Sequence, residues 1–586
     1  MYSLGLSIFY AITCILLFFS IVIIKKSDDK LNAVLCVPIY AMTIMLYTAF
    51  FAGIIDIIGI PVNLLSLGIG NLLAAVGIGL YSLKIKTIQT YKFSLFDLLV
   101  IVGFVIFTVV IAISQFGSNM FINFETTDPS RHMRYAQTLI ETQSLGKMYF
   151  ASLNNAVFIS FGLGFVKTFW AYKLFILSEI MMFLLSACVM YCLTRQFAKT
   201  AVQRIISVFF IILYLLCYPL NNMVFGFVYL GISVSICVYI LILAKCYENG
   251  DLNKICNIIA LMLGAYGVIT CYSLFAPFVY IAVALFIAIK FIKEKSLFSK
   301  EFFATELGIF LLPTILGLYF SFFKMFGGSV SNVTSSIALE GYIYRDLYSA
   351  FIIILPFTIY GLINAVVTKS IKCHHILLLV LAVTTLVMFY FGLQGKVSSY
   401  YYYKMYYILW MVCCAIAIEG ICSLCEKSVA SIISYMIVWA FLAVMNFAQI
   451  DDKITAKKLL MSPNPGKSGS YFSIIEFNQN CMKDGNFSVE RMQLYEESHN
   501  KIKEGRRVTL LSTTEPIYWF EAMTQCELKE FYCYSFDDCN IEAYMQNVEK
   551  CDYVLVYTQH DSRFDEYILN WEAVYQNAEG TLYSVK

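Results

Sequence analysis

The feature that most constrains this chain is a succession of long apolar runs, separated by short polar breaks and continuing to residue 449. A helical run of about 20 such residues matches the ~30 Å hydrocarbon layer of a bilayer. Fourteen are read, the first at 4–24 and the last five at 304–323, 348–367, 374–393, 405–424 and 430–449. Composition agrees, because 60% hydrophobic and 14% charged residues leave too little polar surface for a water-soluble globule. The expected fold is an α-helical polytopic membrane protein. Its opening run has neither a basic leader nor a small-residue cleavage site and is read as a retained span.

Lysine and arginine collect in alternate loops. One set holds Lys25, Lys26 and Lys30, then Lys84 and Lys92, Arg195 and Lys199, Lys245 and Lys254, Lys290 and Lys293, and Lys369 and Lys372. The short connections near 54–60, 220–225 and 271–274 hold none. Cytoplasmic loops carry the excess of positive charge, so the first set is expected inside, in a multi-pass plasma-membrane protein. Both termini, an excursion at 115–173 and everything after 450 then fall outside. That parity holds only if 150–168, which includes Asn154, Asn155 and Lys167, does not cross the membrane. It is read as a re-entrant or interfacial helix.

Two domains follow: residues 1–449 as the membrane module and 450–586 as an extracytoplasmic α/β domain, joined through a Ser/Pro/Gly-containing linker at 461–470. In the second, strands are expected at 506–512, 528–535, 552–558 and the end of the chain, and helices at 515–525, 540–551 and 563–577. No glycine-rich phosphate loop supports nucleotide binding. Five of the 19 cysteines lie here, an odd number without CxxC spacing, which leaves room for one or two disulfides and suggests no zinc site. A net charge of +2 implies no nucleic acid or other polyanion partner.

The excursion carries the densest chemistry: Glu125, Asp128, Arg131, His132 and Arg134 in FETTDPSRHMRY. Asp128 before Pro129 reads as the N-cap of a helix reaching about Gln143. The first turn of that helix gathers a carboxylate with cations, and membrane lipid headgroups are natural neighbours. A second cluster, GKVSSYYYYK at 395–404, sets Tyr400 to Tyr403 between Lys396 and Lys404, either as a wall for a sugar-phosphate or as an interfacial aromatic belt. Glu179 is the most conspicuous ionisable residue within a span; it is either a structural residue, partly protonated or paired with Lys173, or part of the wall of the active cavity.

Many spans, a long first outer loop with an acidic residue near its start, and a terminal extracytoplasmic α/β domain together resemble the GT-C superfamily of membrane glycosyltransferases. The closest members use polyprenyl-phosphate sugars and have an Asp-x-x-x-His-like loop, matched here by Asp128 and His132. The resemblance implies a sugar moved from a polyprenyl-phosphate donor to a cell-envelope glycan, lipid or protein acceptor on the outer face. Asp128 would be the general base. Glu125, Arg131, His132, Arg134, Lys396, Tyr400, Lys404 and Glu179 are the candidate substrate-binding residues. Three spans precede the one that would begin the superfamily's module. Glu125 and Asp128 are separated by two residues where the common acidic pair is separated by one, so a divalent metal has no clear motif. A lipid-linked saccharide flippase or exporter and a polysaccharide polymerase are the alternative functions.

Overall fold

The computed structural model describes residues 3–23, 31–85, 91–146, 149–341, 348–427, 429–447, 471–483, 485 and 487–585. The linker expected at 461–470 lies outside them.

Twelve helices among the described residues are long and apolar enough to cross a membrane, from Leu4–Val22 to Ser399–Leu424, and the chain is an integral membrane protein. Twelve of the fourteen expected spans correspond to these. The other two, at 348–367 and 430–449, appear as the shorter apolar helices Leu355–Val367 and Ser431–Phe441. At about 1.5 Å per residue the 13 residues of Leu355–Val367 fall short of ~30 Å of hydrocarbon, whereas the second stretch lies within a helix of 19 residues, Val429–Phe447, close to that length.

Local sequence sets the helix starts. Ser94 accepts the Asp97 N–H to open Leu95–Phe116. Thr200 and Gln203 form a reciprocal capping box at Ala201–Leu216. Pro219 follows a break at Cys217, where the chain stops one helix and starts another, Tyr218–Phe225.

The charges sort to the two ends of the bundle. At one end Asp97 takes hydrogen bonds from Arg195 Nε at 2.8 Å, Tyr191 Oη at 2.5 Å and the Asn32 amide, tying three helices together. Glu419 there meets Lys372 and, at 2.6 Å, His374 Nε2. Phe197 joins the two groups, packing edge-on to His374 and under the Lys372 ammonium. At the opposite end Asp56 pairs with Lys324 at 2.6 Å and accepts from Ser144 Oγ and Leu145 N–H.

The excursion folds as two helices, the amphipathic Asp128–Thr142 and the buried Tyr149–Gly162. The latter has 14 residues, too few for a crossing, and both ends of the excursion contact the C-terminal domain. Asn123 Nδ2 donates to the Met482 carbonyl at 2.8 Å, and Thr168 Oγ1 lies 3.2 Å from His499 Nε2.

The C-terminal domain holds a four-stranded mixed sheet. Val508–Leu511 pairs in parallel with Tyr553–Tyr557, which pairs antiparallel with Gly580–Ser584, and that strand carries Glu572–Gln576 as an antiparallel edge. Two expectations fail. The strand at 528–535 is replaced by 3-10 turns at Lys529–Phe531 and Phe536–Asp538. The helix at 563–577 is only Asp565–Ile568, and Glu572–Gln576 is a strand because the turn before Gly580 returns it against its neighbour. Cross-strand pairing there outweighs the helix-forming composition of the segment.

Candidate active site

Gly226 seats the start of the Asp128 helix. Its φ of +74° lies in the left-handed region, and a Cβ there would fall 2.0 Å from Pro129 Cγ, so only glycine lets the two segments meet. The Glu125 N–H donates to the Val224 carbonyl and Thr126 Oγ1 to that of Phe225, completing the seam. The N-cap is Thr127 rather than Asp128, and it makes no side-chain capping bond. Asp128 is instead the first helical residue. Its carboxylate is exposed and accepts no hydrogen bond among the described residues.

That carboxylate faces a cavity of about 610 Å³, whose lining also includes Arg131, His132, Tyr400 and Lys404. Residues 128 and 404 thus meet although they lie on helices far apart in the chain. Lys404 is 2% exposed and donates to Tyr229 Oη at 2.7 Å. Its ammonium also stands 4.1 Å from the Tyr400 ring centroid and 4.8 Å from that of Phe227. A cation enclosed by aromatic faces keeps part of its solvation while its remaining N–H bonds stay available for an anion.

His132 is buried, packs edge-on to Tyr229 with centroids 5.1 Å apart, and has an unpartnered Nδ1. Burial pulls its imidazole down to about 4; the charge of Asp128 opposes the shift and that of Lys404 adds to it. At neutral pH it is an uncharged hydrogen-bonding group, not a phosphate-binding cation. Arg131 lies flat on Tyr518, 3.9 Å from the ring centroid and 5.4 Å from that of Tyr532, so its guanidinium joins the cavity to the C-terminal domain.

The remaining candidates lie apart. Glu125 and Lys396 do not line the cavity, and Lys396 is exposed, 5.6 Å from the Phe391 ring. Arg134 turns to Gln137 and Glu527. Glu179 lines a separate, smaller cavity.

Sequence reasoning missed Tyr229, Tyr272, Tyr149 and the π-helical segment Tyr319–Lys324, all of which contribute to the wall. A tyrosine near a span end is the ordinary signature of a membrane interface, so none of these stands out in one dimension. The lining also includes the apolar side chains of Ile269, Leu274, Phe278, Phe320, Phe326 and Ile337. One pocket therefore brings together a carboxylate, a buried lysine and a hydrocarbon surface.

Two places in the structure carry side chains of metal-ligand type. In the cavity Asp128 has no second carboxylate beside it in the lining, short of the several oxygen ligands a hard divalent cation takes. At the opposite end His374, His375 and Glu419 bring ligand-type atoms within 4.8 Å of one another. There His375 Nδ1 accepts the Lys372 N–H at 3.1 Å, so the neutral ring carries its proton on Nε2, the atom that would have to bind. Neither set fits a metal.

No protein-family model and no curated protein matches the chain. Among solved structures it is similar to the oligosaccharyltransferase of Archaeoglobus fulgidus. The apo form aligns at 12% identity with a TM-score of 0.41. A form tethered by a disulfide to an acceptor peptide containing the NVT sequon aligns at 12% with 0.40. Each alignment covers 78% of this chain and 69% of that one.

Proposed function

We propose that this protein is a membrane glycosyltransferase that moves a sugar from a polyprenyl-phosphate donor to a cell-envelope acceptor on the outer face. The observation that carries the reading is the convergence of Asp128, which accepts no hydrogen bond among the described residues, and the buried Lys404 on one cavity lined in part by apolar side chains.

In this reading the acceptor hydroxyl lies against Asp128, which takes its proton as the oxygen attacks the anomeric carbon. The bond from that carbon to the phosphate oxygen breaks, and the phosphate leaves with the electron pair on the carrier lipid. Lys404 holds the phosphate through charge-assisted hydrogen bonds as its charge develops. A phosphate needs little protonation to leave, so one base suffices. Neutral His132 orients a hydroxyl. The hydrocarbon wall receives the start of the isoprenoid tail, and a lipid-borne donor suits a site embedded at a membrane surface.

The test replaces the cell's own copy with Asp128→Asn. Loss of the envelope glycan at normal protein level is the expected result, with transfer by the purified variant reduced by about 10²–10⁴-fold. An unchanged glycan profile would reject Asp128 as the base.

A further inference from the structure

We propose that Glu179 and Asn222 form a site for one small monovalent cation of the size of Na⁺ inside the helical bundle. Glu179 is 3% exposed, about 12 Å along Ala171–Thr194 at 1.5 Å per residue. It is not neutralised by Lys173, whose ammonium sits 4.9 Å from the Trp170 ring, and no other cationic side chain lines the cavity it faces. That cavity measures about 30 Å³, room for one or two water-sized bodies.

The polar atoms left over decide what belongs there. Glu179 Oε1 and Asn222 Oδ1 are both buried and take no hydrogen bond among the described residues. Both are acceptors. The other polar side chains of the wall, Ser186, Tyr214, Tyr218 and Tyr407, are neutral hydroxyls, so a buried carboxylate oxygen and an amide oxygen there have no cationic partner; a positive body answers both, whereas an apolar occupant or an anion would leave the oxygens unsatisfied. The neighbouring asparagine shows the contrast: Asn221 accepts from Tyr407 Oη at 2.7 Å and donates to Asn478 Oδ1 at 2.9 Å, leaving neither oxygen nor amide idle.

Backbone geometry supplies the room. The membrane helix breaks at Cys217 and restarts with Tyr218 and Pro219, which line the cavity together with Asn222. Interrupted helices are where membrane proteins hold small cations at depth, because unwound backbone and turned side chains replace the ion's water. One carboxylate selects one positive charge, since a divalent ion would leave a net charge in a low-dielectric interior and would require more oxygens than are present.

The site is independent of sugar transfer, and so is its test. ²²Na⁺ binding is measured on the purified full-length protein in detergent, with choline chloride maintaining ionic strength. Saturable binding approaching one ion per chain, displaced by unlabelled Na⁺, is expected for the wild type. Glu179→Gln should abolish it, and Asn222→Ala should weaken it about tenfold through loss of one oxygen ligand. Wild-type thermal unfolding should rise with Na⁺ to a plateau that choline does not reproduce. Should Glu179→Gln fail to fold, the wild-type isotherm and Asn222→Ala still decide. A cavity that holds only water, or a protonated Glu179, gives no saturable binding and overturns the proposal, as does Glu179→Gln binding like the wild type.

Discussion

Asp97 and Asp128 both sit in the first turn of a helix, Asp97 three residues after the N-cap Ser94 and Asp128 directly after Thr127, yet their surroundings are opposite. Asp97 is fully buried and bonded to Arg195, Tyr191 and Asn32; Asp128 is exposed and holds no hydrogen bond among the described residues. A carboxylate whose lone pairs are occupied stabilises the fold and has nothing left for a substrate. One left unsatisfied beside a cavity is available to accept a proton. The same residue type, in the first turn of a helix in both places, does structural work at one end of the bundle and at the other is the base of the proposed reaction.

Exchanging the two losses tests this contrast most sharply. Asp128→Ala should reduce transfer by about 10²–10⁴-fold while moving stability by no more than about 0.5 kcal/mol. Asp97→Ala should do the reverse. It strands Arg195 in a buried setting and should cost about 3–5 kcal/mol, read as a lower unfolding midpoint, with activity per folded molecule retained. Equal stability losses in the two variants would break the comparison.

His132 predicts a pH effect confined to the Asp128 end. Its folded value of about 4 lies below the ordinary imidazole value of 6.5, so the unfolded chain binds more protons between them. Stability from this group is complete above pH 6.5 and is lost as pH falls toward 4, on the order of 3 kcal/mol. Denaturant midpoints measured across that window should fall for the wild type and change less for His132→Asn.

Lys404→Ala should raise KM for the donor by about 10–150-fold, the value of a charge-assisted hydrogen bond, and should affect kcat less than Asp128→Asn does. An unaltered donor KM would remove Lys404 from the phosphate site. Gly226→Ala should have the smallest effect, about 1–3 kcal/mol from the clash with Pro129 and the left-handed backbone, together with partial loss of transfer as the Asp128 helix is displaced. Full activity in that variant would show that the seam does not position Asp128.

Much of the architecture was legible in one dimension. Twelve expected spans match long helices, and the excursion contains a helix too short to cross, because apolar length and the residues that open helices are local properties. The Asp128 region stood out because charge was concentrated there. What could not be read was pairing. Arg131, a candidate substrate-binding residue by position, lines the cavity with its guanidinium resting on Tyr518, nearly 400 positions away. Lys396 and Lys404 flank the same four tyrosines, yet only Lys404 enters the cavity, one turn inside its helix. The segment 563–577 has helix-forming composition, and the partner strand Gly580–Ser584 decides otherwise.

By itself the sequence determined that this chain lives in a membrane, where its crossings fall, and which segment carries reactive groups, since hydropathy and charge density are sums over neighbouring residues. Only the tertiary structure decided how each charge is used: Asp97 bonded to Arg195, Asp128 without a hydrogen bond among the described residues, Glu179 against a small cavity. Burial and pairing arise from contacts across the chain. The free energy of a charge in a low-dielectric interior depends on those contacts far more than on its neighbours in sequence.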